Sequence, residues 1–200
     1  MYSQVYQDEV ARKLIGDTGF YVDIGAGDGF QDPNGGNSLF LEEIGWNGIL
    51  IEGCPFRSLH SKKYRKGISI CAQIPDVKIV DILDQNDCPL IIDYLSIDIE
   101  PVSLLGLKEF PLSKYRFKFL TFEHDLYVNP EQNMKNKNES FDILTSYGYY
   151  RFAEDVAIPT SETDFFEDWW VDLSFFPNDF AEKNSFNKKS GLHILNNLQK

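Results

Sequence analysis

Cysteine is scarce and scattered in this chain. Cys54, Cys71 and Cys88 form no C-x-x-C pair, which excludes a disulfide framework and makes a reducing compartment the default. Basic residues are outnumbered too. Lys and Arg total 19 against 31 Asp and Glu, a formal charge of −12, so a polyanionic nucleic acid is repelled unless a local basic patch compensates. The cluster Lys62, Lys63, Arg65 and Lys66 is the one candidate for such a patch, and it reads as a solvated helix face. Long apolar runs are missing. Nothing approaches the ~18 residues of a membrane span, and the opening Met-Tyr-Ser-Gln-Val-Tyr has neither the basic start nor the apolar core of a secretory leader. The expectation is a soluble, cytoplasmic protein with no nucleic-acid and no membrane partner. No internal repeat is visible, and the oligomeric state stays open.

The dinucleotide pattern G-x-G-x-x-G is absent as well. In its place the strand-like run Phe20–Ile24 leads into Gly25, Gly27 and Gly29, spaced G-x-G-x-G, with Asp23 two residues before the first glycine. Glycines here remove side chains where a ligand must approach the main chain, and they permit positive φ. A second apolar run over 48–52 ends in Glu52, whose carboxylate at the tip of a neighbouring parallel strand can accept both hydroxyls of a ribose. A pyrophosphate wants helix-terminal N–H groups and no adjacent negative charge. A methionine-derived ammonium and sulfonium instead suit Asp23 and Asp28, so the ligand expected here is S-adenosylmethionine.

Two hundred residues at 42% hydrophobic can enclose one core. Along the chain α and β patterns alternate, which implies a parallel sheet covered on both faces. An amphipathic helix is expected over 4–15, a polar loop over 31–37, and a helix over 38–44 with Ser38 as its N-cap and Gly45 as its end. A further helix over 55–66, a third strand over 68–72 and a short helix over 80–84 follow. Strands are expected over 94–97 and 117–122, delivering Asp98, Glu100, Glu123 and His124 to the same carboxyl edge as Asp23 and Glu52. A polar linker from 135 then leads to a helix over 141–146. Runs 149–153 and 169–173 read as a closing hairpin with 158–167 as a loop between, and the Asn- and Lys-rich residues 177–200 as a surface tail or partly ordered helix.

Residues 20–53 read FYVDIGAGDGFQDPNGGNSLFLEEIGWNGILIEG and closely resemble the FkbM-like S-adenosylmethionine-dependent methyltransferases. The run Asp93-Tyr94-Leu95-Ser96-Ile97-Asp98-Ile99-Glu100 resembles that family's D-Y-L-S-[LI]-D-[VI]-E segment. Phe119-Leu120-Thr121-Phe122-Glu123-His124 resembles its next strand, and Ser3-Gln4 with Gln7-Asp8 its S-Q-x-x-Q-D opening. The resemblance covers roughly residues 3–173. It implies a Rossmann-like class I methyltransferase fold of the α/β class, with a mostly parallel central sheet, helices on both faces and a C-terminal antiparallel hairpin. The corresponding domain is 1–176, followed by the tail. The family's longer passage after the third strand is compressed here to residues 72–77, which leaves the adenine contacts open. Pro101 follows Glu100 where the family commonly has Gly, and Gly53 follows Glu52 where it has Pro.

Asp23, Gly25, Ala26, Gly27 and Glu52 are the expected cofactor residues, with Asp28 and Ser38 at the methionine end and Asp98 shared with the reacting centre. Methyl transfer is mostly alignment, and an alcohol acceptor must also lose its proton. His124 or Glu123 is the expected base and Asp98 the positioning group. Asp98, Glu100, Glu123 and His124 also supply hard oxygens and an imidazole for a divalent metal, which is not the favoured reading. Trp169, Trp170, Tyr149 and Tyr150 either stack on a sugar ring or fill space behind the sheet edge. O-methylation of a sugar, glycan or related small molecule is the substrate class the resemblance implies. A nicotinamide or nucleotide-sugar oxidoreductase and a noncatalytic cofactor-binding module of the same fold remain the alternatives.

Overall fold

A computed structural model describes residues 3–28, 36–158, 161 and 163–200. Among these, eight strands form one sheet: β1 Phe20–Ile24, β2 Asn47–Glu52, β3 Ile68–Cys71, β4 Ile91–Ile97, β5 Arg116–Glu123, β6 Tyr150–Ala157, β7 Phe165–Val171 and β8 Phe186–Asn187. Their order across the sheet is β3-β2-β1-β4-β5-β7-β6-β8. β1 pairs in parallel with β2 and β4, β2 with β3, and β4 with β5. β7 runs antiparallel between β5 and β6. This mostly parallel sheet closed by a C-terminal antiparallel hairpin is the Rossmann-like class I methyltransferase fold. The crossover between β1 and β4 is the topological switch at which open α/β sheets hold ligands.

Helices cover both faces. α1 Gln7–Ile15, α2 Leu39–Glu43 and α8 Gly191–Asn197 place Val10, Leu14, Leu41 and Ile194 against Tyr21, Tyr94, Phe119 and Trp169 on one side. On the other, α4 Ile79–Gln85, α5 Ser103–Glu109 and α6 Pro130–Ser146 place Ile82, Leu83, Leu107 and Leu144 against Val22, Ile24, Phe122 and Trp170. The remaining helices are α3 Pro55–Tyr64 and α7 Phe180–Lys183. Neighbouring strand residues thus enter different cores, as a two-residue repeat demands. Trp169 and Trp170 are the plainest case.

Several elements differ from the expectation for physical reasons. α1 starts at Gln7 because Tyr6 takes a left-handed φ of 71°, and the Gln7 side chain folds back to accept the Val5 N–H. β4 starts earlier, at Ile91, because Asp93, which interrupts the apolar pattern, is used inside the sheet. It accepts the Phe20 N–H at 2.8 Å and pairs with Lys118 at 2.6 Å. α5 follows Pro101 and has no counterpart among the expected elements; a Cβ on its Gly106 would come within 2.9 Å of Ile99 and 3.4 Å of Ile97, so the glycine lets α5 lie close on the end of β4. Residues 135–140 are helix rather than linker. α6 begins at Pro130 behind the Asn129 cap, and its buried positions include the polar Lys137 and Ser140, which hid the periodicity. β6 runs on to Ala157 and β7 begins at Phe165, so both strands are longer than expected.

Residues 177–200 add α7, β8 and α8. β8 pairs with β6, and Phe180, Ile194 and Leu198 are buried. Gly191 passes so close to the Val5 carbonyl that a Cβ would lie 1.7 Å from its oxygen, and Lys13 Nζ donates to the Leu195 carbonyl at 2.6 Å. Among the described residues no helix is long and apolar enough to cross a membrane.

Candidate active site

The β1 glycine turn is locked from two sides. Gly25, at φ 96°, lies under the Asp98 carbonyl, where any Cβ would sit 1.7 Å from the oxygen. The Gly25 N–H donates to the Ile51 carbonyl at 2.8 Å, tying the turn to the tip of β2. Gly27, at φ 67°, would add its Cβ into open space, and it lines a cleft of about 780 Å³. Glu52 stands across from it. One carboxylate oxygen accepts the Gly27 N–H at 2.9 Å and the other the Cys54 N–H at 2.8 Å. Each oxygen keeps a lone pair, so a carboxylate aimed by its own backbone contacts can still accept from a ligand hydroxyl. The cleft continues along Ala72, Gln73 and Ile74, so the compressed passage after β3 forms its far wall. Sequence reasoning missed Gln73, Arg57 and Tyr127 as lining residues, because isolated polar or aromatic side chains on loops carry no pattern.

Asp23 and Ser38 do something else. Asp23 is completely buried on the α1 and α2 side and accepts the Ser38 hydroxyl at 2.5 Å; that hydroxyl also accepts Arg65 Nη2 at 2.7 Å. Ser38 makes no capping hydrogen bond to α2, contrary to the expectation, because its hydroxyl is taken by Asp23. Arg65 is not on a solvated face either. It is buried and pairs with Glu42 at 3.1 Å, while Glu42 accepts the Tyr21 hydroxyl and the Lys66 and Gly67 N–H groups. Burial pushes the Asp23 carboxyl up to about 6, against the Ser38 hydrogen bond and the Arg65 charge. Among the described residues neither Asp23 nor Ser38 lines the cleft. Ala26 is fully buried and Asp28 half-buried at the end of the described turn; Gly29 and residues 31–35 of the expected polar loop lie outside the described residues.

The tips of β4 and β5 bring Asp98, Glu100 and Glu123 together where the cleft meets a second cavity of about 470 Å³. Glu100, Val102 and Glu123 line both. The second cavity runs between α5 and the first turns of α6, with Leu104, Val128, Gln132 and Asn136 among its walls. Asp98 accepts Asn37 Nδ2 at 3.3 Å. Glu123 is nearly buried, and burial first, then the charge of Asp98, pushes its carboxyl well above the usual range. Burial also raises Glu100, opposed by its hydrogen bond with Glu123 and reinforced by Asp98. Behind them Glu167, fully buried and bound by Trp169 Nε1 at 2.7 Å, is raised to about 8, chiefly by burial.

His124 does not join this group. Its side chain is fully buried and faces β6 and β7, with Nε2 3.4 Å from Asp168 and 3.7 Å from Asp155. Nδ1 accepts the Leu126 N–H at 3.3 Å, which assigns the proton to Nε2. Lys137 reaches Asp155 at 2.5 Å and Arg151 reaches Asp168 at 2.9 Å. Burial raises the Asp168 carboxyl, but His124, Lys137 and Arg151 outweigh it and hold it below the ordinary range. Glu123 and His124 are consecutive, and alternation sends them to opposite faces of the sheet. The expected metal set is divided accordingly. Glu100 and Glu123 meet Asp125, whereas His124 meets Asp155 and Asp168. Trp169, Trp170 and Tyr149 are core residues, not a sugar platform.

No protein-family model matches the chain, and no curated protein matches it in sequence. Among solved structures, that of M. jannaschii TYW2 in complex with AdoMet is similar over 82% of this chain and 74% of that one, at 15% identity and a TM-score of 0.41, a likeness too slight to bear on the site.

Proposed function

We propose that the chain is an S-adenosylmethionine-dependent methyltransferase that methylates a hydroxyl of a small molecule, with a sugar or related carbohydrate as the acceptor class. The observation that carries the reading is the pair of clefts meeting at Glu100 and Glu123 on the switch edge of the sheet, one of them beginning at a glycine turn and a pre-aimed Glu52. A donor and an acceptor each have a compartment, and the compartments share one wall.

In this reading Glu52 accepts the ribose hydroxyls, Gly25 and Gly27 let the cofactor lie against main chain, and residues 72–74 cover its adenine end. The acceptor enters between α5 and α6, where Gln132 and Asn136 offer amide hydrogen bonds and Leu104 and Val128 an apolar wall. The acceptor oxygen attacks the methyl carbon, the carbon–sulfur bond breaks with its electron pair going to sulfur, and the hydroxyl proton passes to a junction carboxylate. His124, held by Asp155 and Asp168, is not the base; it positions the end of β5. The motifs that resemble those of FkbM-like methyltransferases support the same reading from the sequence side.

Calorimetric titration with S-adenosylmethionine and S-adenosylhomocysteine tests it. Micromolar binding is expected, weakened in Glu52→Ala by ~1–2 kcal/mol, the scale of a hydrogen bond to a charged group. Absence of heat with either ligand in folded protein, together with heat from a nicotinamide cofactor, would move the reading to an oxidoreductase.

A further inference from the structure

We infer that Glu100, Glu123 and Asp125 form a binding site for a hard divalent cation of the Mg²⁺, Mn²⁺ or Ca²⁺ class. Each of the three offers a carboxylate oxygen, and the three oxygens lie within 4.8 Å of one another. Donor oxygens on one ion stand ~2.9–4.2 Å apart around Mg²⁺ and ~3.3–5.2 Å apart around Ca²⁺, so a limit of 4.8 Å lies within the reach of the larger ion and asks for some closure around the smaller.

Clustered acids alone would not carry the inference. The second observation is that Glu123 Oε2 and Asp125 Oδ1 are buried without a hydrogen-bond partner, on residues only 8% and 5% exposed. A buried carboxylate oxygen without a donor is costly unless a charge meets it. No Lys or Arg among the described residues is paired with these three acids, and Lys108, on the wall of the same cavity, is bound to Glu139 at 2.5 Å. Asp98 and Glu100 are in hydrogen-bond contact with Glu123, but that contact adds acids and no cation.

The other acidic group found at this end of the sheet makes the contrast. His124, Asp155 and Asp168 also converge within 4.8 Å, yet Lys137 pairs with Asp155 and Arg151 with Asp168, so neither carboxylate there lacks a cation. The three carboxylates at the junction include no imidazole or thiolate, which favours a hard ion over zinc or copper. Glu100 is exposed, so the ion has an entry path and open positions for water or an acceptor oxygen. The site itself stands on the acids; only its use to hold and acidify an acceptor hydroxyl rests on the methyl-transfer reading.

Manganese binding to the full chain, read from the loss of the free Mn²⁺ electron-paramagnetic signal without cofactor, tests the assignment. One site per chain is expected, weakened at least ~tenfold in Glu100→Gln and in Asp125→Asn, and unchanged in Asp84→Asn, an exposed acid paired with Lys114 elsewhere. Because Glu100 is exposed, its variant keeps the fold even if the buried ones do not. No binding at millimolar Mn²⁺, or binding that Glu100→Gln and Asp125→Asn leave intact, overturns the inference. Manganese binding in a chain that takes up no S-adenosylhomocysteine would retain the cation site and remove the cofactor reading.

Discussion

Two acidic centres sit a few residues apart at the end of β5, and they are built on opposite rules. Around His124, Asp155 and Asp168 every negative group has a cation: Lys137 bridges Glu154 and Asp155, and Arg151 bridges Glu154 and Asp168. At the junction of the clefts, Asp98, Glu100, Glu123 and Asp125 have none in ion-pair contact among the described residues. A neutralised buried cluster supports the fold, because removing one member strands its partners. An unneutralised one carries a standing electrostatic cost that a ligand, a proton or a cation relieves. In the proposed reading the first centre is scaffold and the second is the binding place.

The largest effect that would break this contrast lies in the scaffold. Asp168→Ala leaves His124 and Arg151 facing a vacated carboxylate site, and urea denaturation is expected to show a loss of ~3–5 kcal/mol, the scale for breaking a buried pair. If stability is unchanged, the network is not structural.

The two kinds of acid also have opposite pH dependences. Asp168, held below the ordinary range, contributes stability that is present above pH ~4 and is lost as pH falls through its lowered value. Asp8 is nearly buried with only Ser3 and the Glu9 N–H as partners, and burial raises it from 3.8 to about 6. Its contribution is present below pH ~4 and lost as pH rises through 6, on the order of 2–3 kcal/mol. Denaturation midpoints measured from pH 4 to 7 are expected to fall in the native chain and to stay flatter in Asp8→Asn. Parallel profiles would assign the slope to other groups.

Smaller effects sharpen the functional side. Gln132→Ala removes one amide from the wall of the proposed acceptor cavity, and steady-state kinetics are expected to show KM raised about three- to tenfold with kcat nearly unchanged, the signature of uniform binding. An equal fall in kcat would move Gln132 into transition-state contact. Lys108→Ala, on the rim and already paired with Glu139, is expected to alter KM by less than about twofold, in keeping with the small worth of exposed ion pairs.

Much of the geometry around the glycine turn is legible in the sequence. The apolar runs ending in Gly25 and Glu52 mark two parallel strand tips, and the Gly25 requirement follows from a main-chain approach that only glycine allows. The junction of the two clefts is less legible. Glu123 and His124 are neighbours in sequence, and proximity suggested a shared site, but strand alternation divides them. Asp125, the residue that completes the junction, follows β5 at a left-handed φ of 46° and shows no periodic signal. Asp23 reads as a partner for a methionine-derived ammonium because it stands just before the glycine turn; Ser38 and, through it, Arg65 from beyond α3 hold it in a buried network instead. Partners distant in sequence, such as Arg65 and Lys137, decide which acids are free, and composition alone does not reveal them.

The most direct test of the contrast is urea denaturation of Glu123→Gln beside the native chain, with divalent ions chelated. Gln has the shape of Glu, cannot ionise and supplies N–H donors toward Asp98 and Glu100, so the midpoint is expected to stay level or rise. A loss of more than ~1 kcal/mol would make Glu123 a structural partner like Asp168 and would contradict the division between the two centres.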